Sequence, residues 1–334
     1  MKILVTGGLG FMGSAFIRLL LKTDKKTRIV NLDKVTYAAN FENLENITKD
    51  KRYKFIKGDI ADKKVVRKTA KGCQAIINYA AETHVDRSIL DPDAFIKTDV
   101  LGTYNLLETA RDLKIQKFIQ ISTDEVYGDI PKGYSKEADT IRPSSPYSAS
   151  KASGDMLVLA YHRTYEVPTI LTRASNNYGP YQYPEKIIPL FITNLLEGKK
   201  VPVYGKGNQV RDWLYVEDHA RAIRTLLRRG KPGEIYNIGS DRKRDISNLK
   251  LTKEILRLTG KDKKSKKHIK DRPGHDLRYA LNCDKLKRLG WRPQMKFDEG
   301  LAATVAWYKD NVSWWQRIKT GEYLKYYKKQ YHNR

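Results

Sequence analysis

The first thirteen residues constrain this chain most. Lys2-Ile3-Leu4-Val5-Thr6 is a short β-branched and apolar run, the pattern of a buried parallel strand. Gly7-Gly8-Leu9-Gly10-Phe11-Met12-Gly13 follows at once, and Ser14 to Leu21 has helical composition. A strand, a glycine turn and a helix in direct succession are what a bound dinucleotide requires. Gly7, Gly10 and Gly13 let the backbone turn tightly, approach a pyrophosphate and pack helix on strand. The helix N-terminus adds free N–H groups for the anion.

Arg28 to Asp33 reads as a second strand ending in a carboxylate. Asp33 lies about 20 residues beyond the last glycine, where an acid binds the adenosine ribose hydroxyls. It accepts from a free 2′-OH and repels a 2′-phosphate, so NAD is favoured over NADP; the adjacent Lys34 softens that preference. Tyr53 to Ile60 is a third strand, and its end, Asp59-Ile60, falls where adenine would lie. Ala75 to Ala81 is a fourth, closing on the small residues Ala80 and Ala81, which permit close cofactor approach. Glu82 to Asp86 is then a loop at the carboxyl end of the sheet, the place for ligands. There His84 either contacts substrate or organises the loop.

Asp93 to Leu113 reads as one long helix, Lys117 to Ser122 as a fifth strand, Tyr147 to Tyr165 as a helix and Pro168 to Arg173 as a sixth strand. The alternation predicts a Rossmann-type doubly wound parallel sheet over 1–175. A smaller α/β region over 176–334 is expected to bind substrate, with some segments returning to the sheet. Within it, 176–180 reads as a turn-rich loop, Ile187 to Leu196 and Asp218 to Leu227 as helices, Pro202 to Gly205 as strand-like and the basic run 261–270 as a solvated loop. Arg211 and Arg272 are placed to clamp a phosphate with bidentate guanidinium contacts. The aromatic residues from Trp307 to Tyr331 read as packing.

Candidate chemistry sits at the end of the fifth strand. Tyr147 and Lys151 share a helix face at i and i+4. An ammonium close to a phenol favours the phenolate, so Lys151 is expected to lower the Tyr147 pKa and make it a base for an alcohol. Thr123 precedes two adjacent carboxylates, Asp124 and Glu125. An alcohol base with two carboxylates suggests oxidation combined with a second proton-moving step.

Other classes are disfavoured. No apolar run approaches the roughly 18 residues of a membrane span, and the opening strand leaves no room for a signal peptide. Cys73 and Cys283 have neither metal nor framework spacing, so no metal site is expected and the setting reads as cytoplasmic. The net charge of +26 is dispersed and accompanies no nucleic-acid motif; it reads as a lysine-rich surface compatible with a pyrophosphate substrate.

With these residues in hand the chain resembles the extended short-chain dehydrogenase/reductases, and within them the dTDP-glucose 4,6-dehydratases. The resemblance runs nearly the whole length. It is carried by 6–13, by Leu32-Asp33-Lys34-Val35-Thr36-Tyr37-Ala38, by Ala80 to Ile89 and by Ser122-Thr123-Asp124-Glu125-Val126-Tyr127-Gly128. It continues in Ser145 to Lys151, Ser175 to Lys186, Val210 to His219 and Asp271 to Asp276. It implies that Tyr147 takes the sugar 4-hydroxyl proton as hydride passes to NAD, with Thr123 on the same oxygen. Glu125 then removes the C5 proton, protonated Asp124 releases the 6-hydroxyl as water, and hydride returns to C6. NAD is regenerated in each turnover, so it is expected to stay tightly bound.

The resemblance also implies cofactor contacts from Gly10, Phe11, Met12, Asp33, Lys34, Thr36, Asp59, Ile60 and Thr98, with Asn177 beside them. It implies nucleotide-sugar contacts from Asn176, Lys186, Ile187, Pro202, Tyr204, Arg211, Arg272 and His275. A homodimer through the helices near 94–112 and 147–165 is implied, and deoxysugar (rhamnose) biosynthesis is the implied context. Four places depart from the pattern: Ala39 for the usual Gly, Asp99 for Asn, Gly239-Ser240-Asp241-Arg242 for Gly-Gly-x-Asn-Glu, and Asp245 where an Asn often meets the nucleotide. The last adds negative charge near a phosphate or base, which bears on dTDP against UDP.

Overall fold

A computed structural model describes residues 1–240 and 246–331 of the 334-residue chain. The strands in chain order are β1 (Lys2–Thr6), β2 (Arg28–Asp33), β3 (Tyr53–Lys57), β4 (Ala75–Asn78), β5 (Lys117–Thr123) and β6 (Thr169–Ala174). They continue as β7 (Asn176–Tyr178), β8 (Val201–Tyr204), β9 (Val210–Arg211), β10 (Trp213–Tyr215), β11 (Ile235–Ile238), β12 (Ile246–Ser247) and β13 (Lys266–Ile269). Among the described residues the main sheet has seven strands in the order β11-β6-β5-β4-β1-β2-β3, every neighbour parallel. The order reverses between β1 and β4, and that crevice is where a doubly wound sheet receives its ligand.

Both faces of the sheet are covered, and the alternation within β1 shows how. Ile3 and Val5 are buried with Phe16 and Ile17 of the helix Phe11–Thr23 and with Ala220 and Ile223 of the helix Val216–Arg229. Leu4 points the other way, into a core with Leu106 and Leu107 of the helix Thr103–Asp112 and Val158 of the helix Pro146–Tyr165. Each such side chain contributes roughly 1.5–3 kcal/mol on burial. A separate core joins Ile188, Phe191 and Leu195 to Val201, Val203, Leu251, Ile255, Tyr308 and Trp315.

Several local expectations need correction. The stretch 176–180 is no simple loop, because Asn176 to Tyr178 pair in parallel with Trp213 to Tyr215. The basic run 261–270 is no solvated loop either: Lys266 to Ile269 pair with Val201 to Tyr204, and Ile269 is buried while Lys267 and His268 face solvent. The helix expected over 93–113 is interrupted, since Ile96–Gly102 winds as a π-helix. Such a bulge carries an extra residue per turn and often marks a functional position. Here it brings Asp99 into the interior at 2% exposure.

Candidate active site

Gly7 takes φ +67° as the chain leaves β1. A Cβ there would lie 2.6 Å from the Ala80 backbone nitrogen, and one at Gly13 would lie 2.4 Å from the Gly7 carbonyl oxygen. Both positions therefore require glycine. The helix Phe11–Thr23 starts after Gly10 with no side-chain cap, which leaves its first N–H groups for a ligand. At the end of β2, Asp33 accepts the Leu9 N–H at 2.9 Å and the Val35 N–H at 2.8 Å. Burial raises its pKa and these two bonds oppose the rise. Lys34 pairs with Asp59 at 2.8 Å.

One cavity gathers these groups. Gly7, Gly10, Phe11, Met12, Gly13, Asp33, Lys34, Thr36, Asp59 and Ile60 line it together with Ala80, Ala81, Thr98 and Asn177. Ala39 lines it as well. Thr123, Asp124, Glu125, Tyr147 and Lys151 belong to the same wall. An uncapped helix end, glycines that admit no Cβ and a strand-end carboxylate fit the pyrophosphate and ribose of NAD.

β5 delivers the carboxylates into a single turn, Asp124–Tyr127, ended by Gly128 at φ +76°. Asp124 is buried, and its Oδ2 has no hydrogen-bond partner within the protein. Burial first, then the Glu125 charge, hold the Asp124 pKa well above the ordinary carboxylate range. Burial also raises Glu125, but Arg272, Arg211 and Lys186 oppose the rise. Environment thus separates the two: Asp124 keeps a proton that Glu125 more readily gives up.

The helix Pro146–Tyr165 is fixed by a capping box, Ser145 accepting from the Ser148 N–H at 3.1 Å and Ser148 from the Ser145 N–H at 3.0 Å. That start aims Tyr147 and Lys151 at the cavity. The expected lowering of the Tyr147 pKa is not what this environment produces. Burial, with the Glu125 and Asp99 charges behind it, raises the phenol well above its ordinary value, and only the Thr123 hydroxyl acts the other way. The Lys151 ammonium donates to the Ile121 carbonyl at 2.8 Å.

A second cavity opens beyond Glu125. His84, Lys186, Ile187, Pro202, Tyr204, Arg211, Arg272 and His275 line it. Thr83, Glu125, Asn176 and Lys186 line both cavities, so the two meet at Glu125. The Lys186 ammonium donates to the Thr83 carbonyl. Arg211 lies over the Tyr279 ring at 4.4 Å and donates to the Asp276 carbonyl at 2.9 Å. Arg272 sits 3.6 Å from Asp86, and its buried Nε has no partner. Burial, then Arg272, push the His275 pKa down to about 4, while Asp271 at 2.6 Å opposes this.

His84 lines the cavity and also organises the loop: its ring nitrogens lie 3.4 Å from the Glu185 carbonyl and 3.3 Å from the Tyr326 hydroxyl. Asp245, Asp241 and Arg242 lie outside the described residues. Sequence reasoning did not single out Tyr37, Glu82 and Gln182 in the first cavity, or Asp86 and Tyr331 in the second. The first four stand inside or beside quoted motifs and were available to it. Tyr331 was folded into a general expectation of packing, and only tertiary structure brings it to the cavity wall. Among the described residues no cluster of His, Cys, Asp and Glu could hold a metal ion, and no helix is long and apolar enough to cross a membrane.

Residues 4–304 match the family described as GDP-mannose 4,6 dehydratase. The chain is 47% identical over 325 residues to a dTDP-glucose 4,6-dehydratase of Streptomyces niveus, covering 96% of each. Its structure is similar to that of the dTDP-glucose 4,6-dehydratase DesIV of Streptomyces venezuelae with NAD bound. That match has a TM-score of 0.93 at 46% identity, over 96% of this chain and 100% of the other. A Thermus thermophilus UDP-glucose 4-epimerase in complex with NAD matches less well, with a TM-score of 0.86 at 30% identity over 93% and 100%.

Proposed function

The chain belongs to the GDP-mannose 4,6 dehydratase family, and on that premise we propose that it is an NAD-dependent dTDP-glucose 4,6-dehydratase, as its relatives are. It converts dTDP-glucose to dTDP-4-dehydro-6-deoxy-glucose and water. One observation carries the reading: Asp124 and Glu125 stand side by side where the two cavities meet, with Tyr147 and Lys151 in the same wall. An epimerase needs an alcohol base but no elimination acids.

NAD, when bound, supplies the acceptor for the C4 hydride, a positive charge in the cavity, and the hydride returned to C6. The chain's own residues do the rest. Gly10, Phe11 and Met12 present N–H groups to the pyrophosphate, and Asp33 holds the ribose. Tyr147 takes the 4-hydroxyl proton while Thr123 steadies that oxygen. The resulting ketone acidifies the C5 proton, which Glu125 removes. Asp124, already protonated, gives its proton to the departing 6-hydroxyl. Glu125 then returns a proton to C5. Asn176, Lys186, Arg211, Arg272 and His275 hold the nucleotide diphosphate, the guanidinium groups matching its oxygens. Each proton-transfer group contributes about 10²–10⁴ in rate.

A homodimer is supported by Leu101 and Tyr104 and by Met156 and Tyr165, large apolar side chains exposed on the helices 96–112 and 146–165. A cytoplasmic setting and a role in deoxysugar synthesis such as that of rhamnose accord with this chemistry. The deciding experiment is NMR of the sugar after incubation with dTDP-glucose, and separately UDP-glucose, in D2O. A 4-keto-6-deoxy product with deuterium at C5 is expected, formed faster from dTDP-glucose. A galactose epimer that keeps its 6-hydroxyl refutes the reading.

A further inference from the structure

The proposed cycle leaves two protons out of place. Glu125 returns to C5 the proton it removed. Tyr147, however, ends with the proton of the 4-hydroxyl, and Asp124 ends without the one it gave to the leaving oxygen. Resetting the site therefore requires one proton to leave Tyr147 and one to reach Asp124. Asp124 lines the open cavity and can reload from water. Tyr147 is buried at 8% exposure and needs an exit.

Asp99 stands behind it. Ser150 Oγ lies 2.8 Å from Asp99 Oδ2 and 2.8 Å from the Tyr147 carbonyl oxygen. A hydroxyl carries one hydrogen, and the carbonyl can only accept. Both contacts are fully satisfied when Asp99 Oδ2 carries a proton and donates to Ser150, whose own hydrogen goes to the carbonyl. Asp99 Oδ1 accepts the Glu82 N–H at 3.2 Å. The ionisable groups that face Asp99 are Glu82 from the loop after β4 and Lys151 and Tyr147 from the helix Pro146–Tyr165. Glu82 is faced in turn by Lys34, Arg87 and Glu185, and it lines the cofactor cavity. Lys151 uses one of its three N–H groups on Ile121, which leaves two.

We propose that Asp99 and Glu82 form a proton-exchange pair that drains Tyr147 through Lys151 to the water of the cofactor cavity. The assignment rests on the dehydratase reading. Asp99 passes its Oδ2 proton to the Glu82 carboxylate and takes one from the Lys151 ammonium. Lys151 takes the proton of Tyr147, which restores the phenolate, and Glu82 releases its proton to water. Each O–H or N–H bond broken is matched by one formed, and no electron changes hands. Asp99 acts through Lys151, so it is a positioning residue. Burial, with the neighbouring Asp99 charge second, pushes Glu82 up to about 7. Burial pushes Asp99 up to about 6 against the pull of Lys151 and Ser150. Two acids matched near neutrality exchange a proton with little cost in either direction.

The test uses the NAD-loaded enzyme and two isosteric variants, Asp99→Asn and Glu82→Gln. For each, kcat and KM with dTDP-glucose are followed from about pH 5 to pH 9, with and without added imidazole or acetate. The expected result is kcat lowered about 10-fold or more at neutral pH with KM little changed, an altered pH profile, and recovery with the concentration of the small buffer. A pH profile like that of the unaltered enzyme in both variants, with no buffer dependence, overturns the assignment. Infrared spectroscopy supplies an arm that needs no substrate: the carbonyl stretch of a protonated carboxyl, present near neutral pH and lost in Asp99→Asn. If the unaltered enzyme lacks that band, Asp99 is ionised and the pair is refuted. A protein that shows the band yet fails to act on dTDP-glucose refutes the dehydratase reading, and the band alone then supports the protonated pair.

Discussion

Removing the Arg173 guanidinium should unfold this protein several degrees early, and more so at neutral than at acid pH. Arg173 on β6 is 2% exposed and Asp155 on the helix Pro146–Tyr165 is fully buried; Nε and Oδ2 are 3.0 Å apart. The guanidinium also lies over the Tyr127 ring at 4.7 Å. This pair ties the helix that carries Tyr147 and Lys151 to the sheet that carries Asp124. Breaking a buried pair by removing one partner typically costs about 3–5 kcal/mol, because the other charge is left uncompensated. Unfolding 334 residues at about 2.1 cal/mol/K each gives roughly 0.7 kcal/mol/K, so Arg173→Met should lower Tm by about 4–7 °C.

The sign of the pH effect follows from Asp155. Burial holds its folded pKa above the unfolded value of about 3.9 even with Arg173 present, and losing Arg173 raises it further. A raised carboxyl is tolerated as the neutral acid and penalised as the anion. The deficit of the variant should therefore be small near pH 4 and grow as pH rises above the unfolded value. Adding Asp155→Leu to Arg173→Met should recover much of the loss, since an apolar pair of similar volume often matches a buried ion pair. Thermal melts of the three variants and the parent between about pH 4 and 8 give the double-mutant cycle. A single-variant loss below about 1 kcal/mol, unchanged with pH, would refute this account of the pair.

Glu125→Gln should stop elimination while leaving oxidation at C4 possible. Product formation should fall about 10²–10⁴-fold, and incorporation of deuterium at C5 should disappear; NMR in D2O reads both. Gly7→Ala should cost more than the roughly 1–3 kcal/mol of a left-handed alanine, because its Cβ would also meet Ala80, and the purified protein should carry little NAD by absorbance. Leu101→Asp, on an exposed helix face, should leave the monomer folded by circular dichroism and shift the mass seen by light scattering from two chains to one.

The glycine turn, the carboxylate after β2 and the order of strand and helix were legible because each depends on local chemistry that a short stretch contains. Each cofactor contact expected from the sequence lines the first cavity. β7 was missed because Asn176, Asn177 and Tyr178 look like a turn until Trp213 to Tyr215 arrive beside them. β13 was missed because Lys266, Lys267 and His268 have the composition of a solvated loop, and only the pairing with β8 makes them a strand. The acidity of Tyr147 was misjudged for a related reason. Lys151 is four residues away and visible in sequence, whereas the Glu125 and Asp99 charges and the burial that outweigh it come from distant segments.

The helix Gly321–Tyr331 adds a consideration of timing. Its Tyr326 holds His84, its Gln330 donates to the Tyr204 hydroxyl at 2.7 Å, and Tyr331 walls the second cavity. The ribosome delivers Gly7 more than three hundred residues before it delivers Tyr331. A nascent chain can therefore build the parallel sheet and its cofactor chamber early, yet the sugar chamber stays open on one side until the last helix docks. Capture of the nucleotide sugar is in this way a late event in the life of each chain.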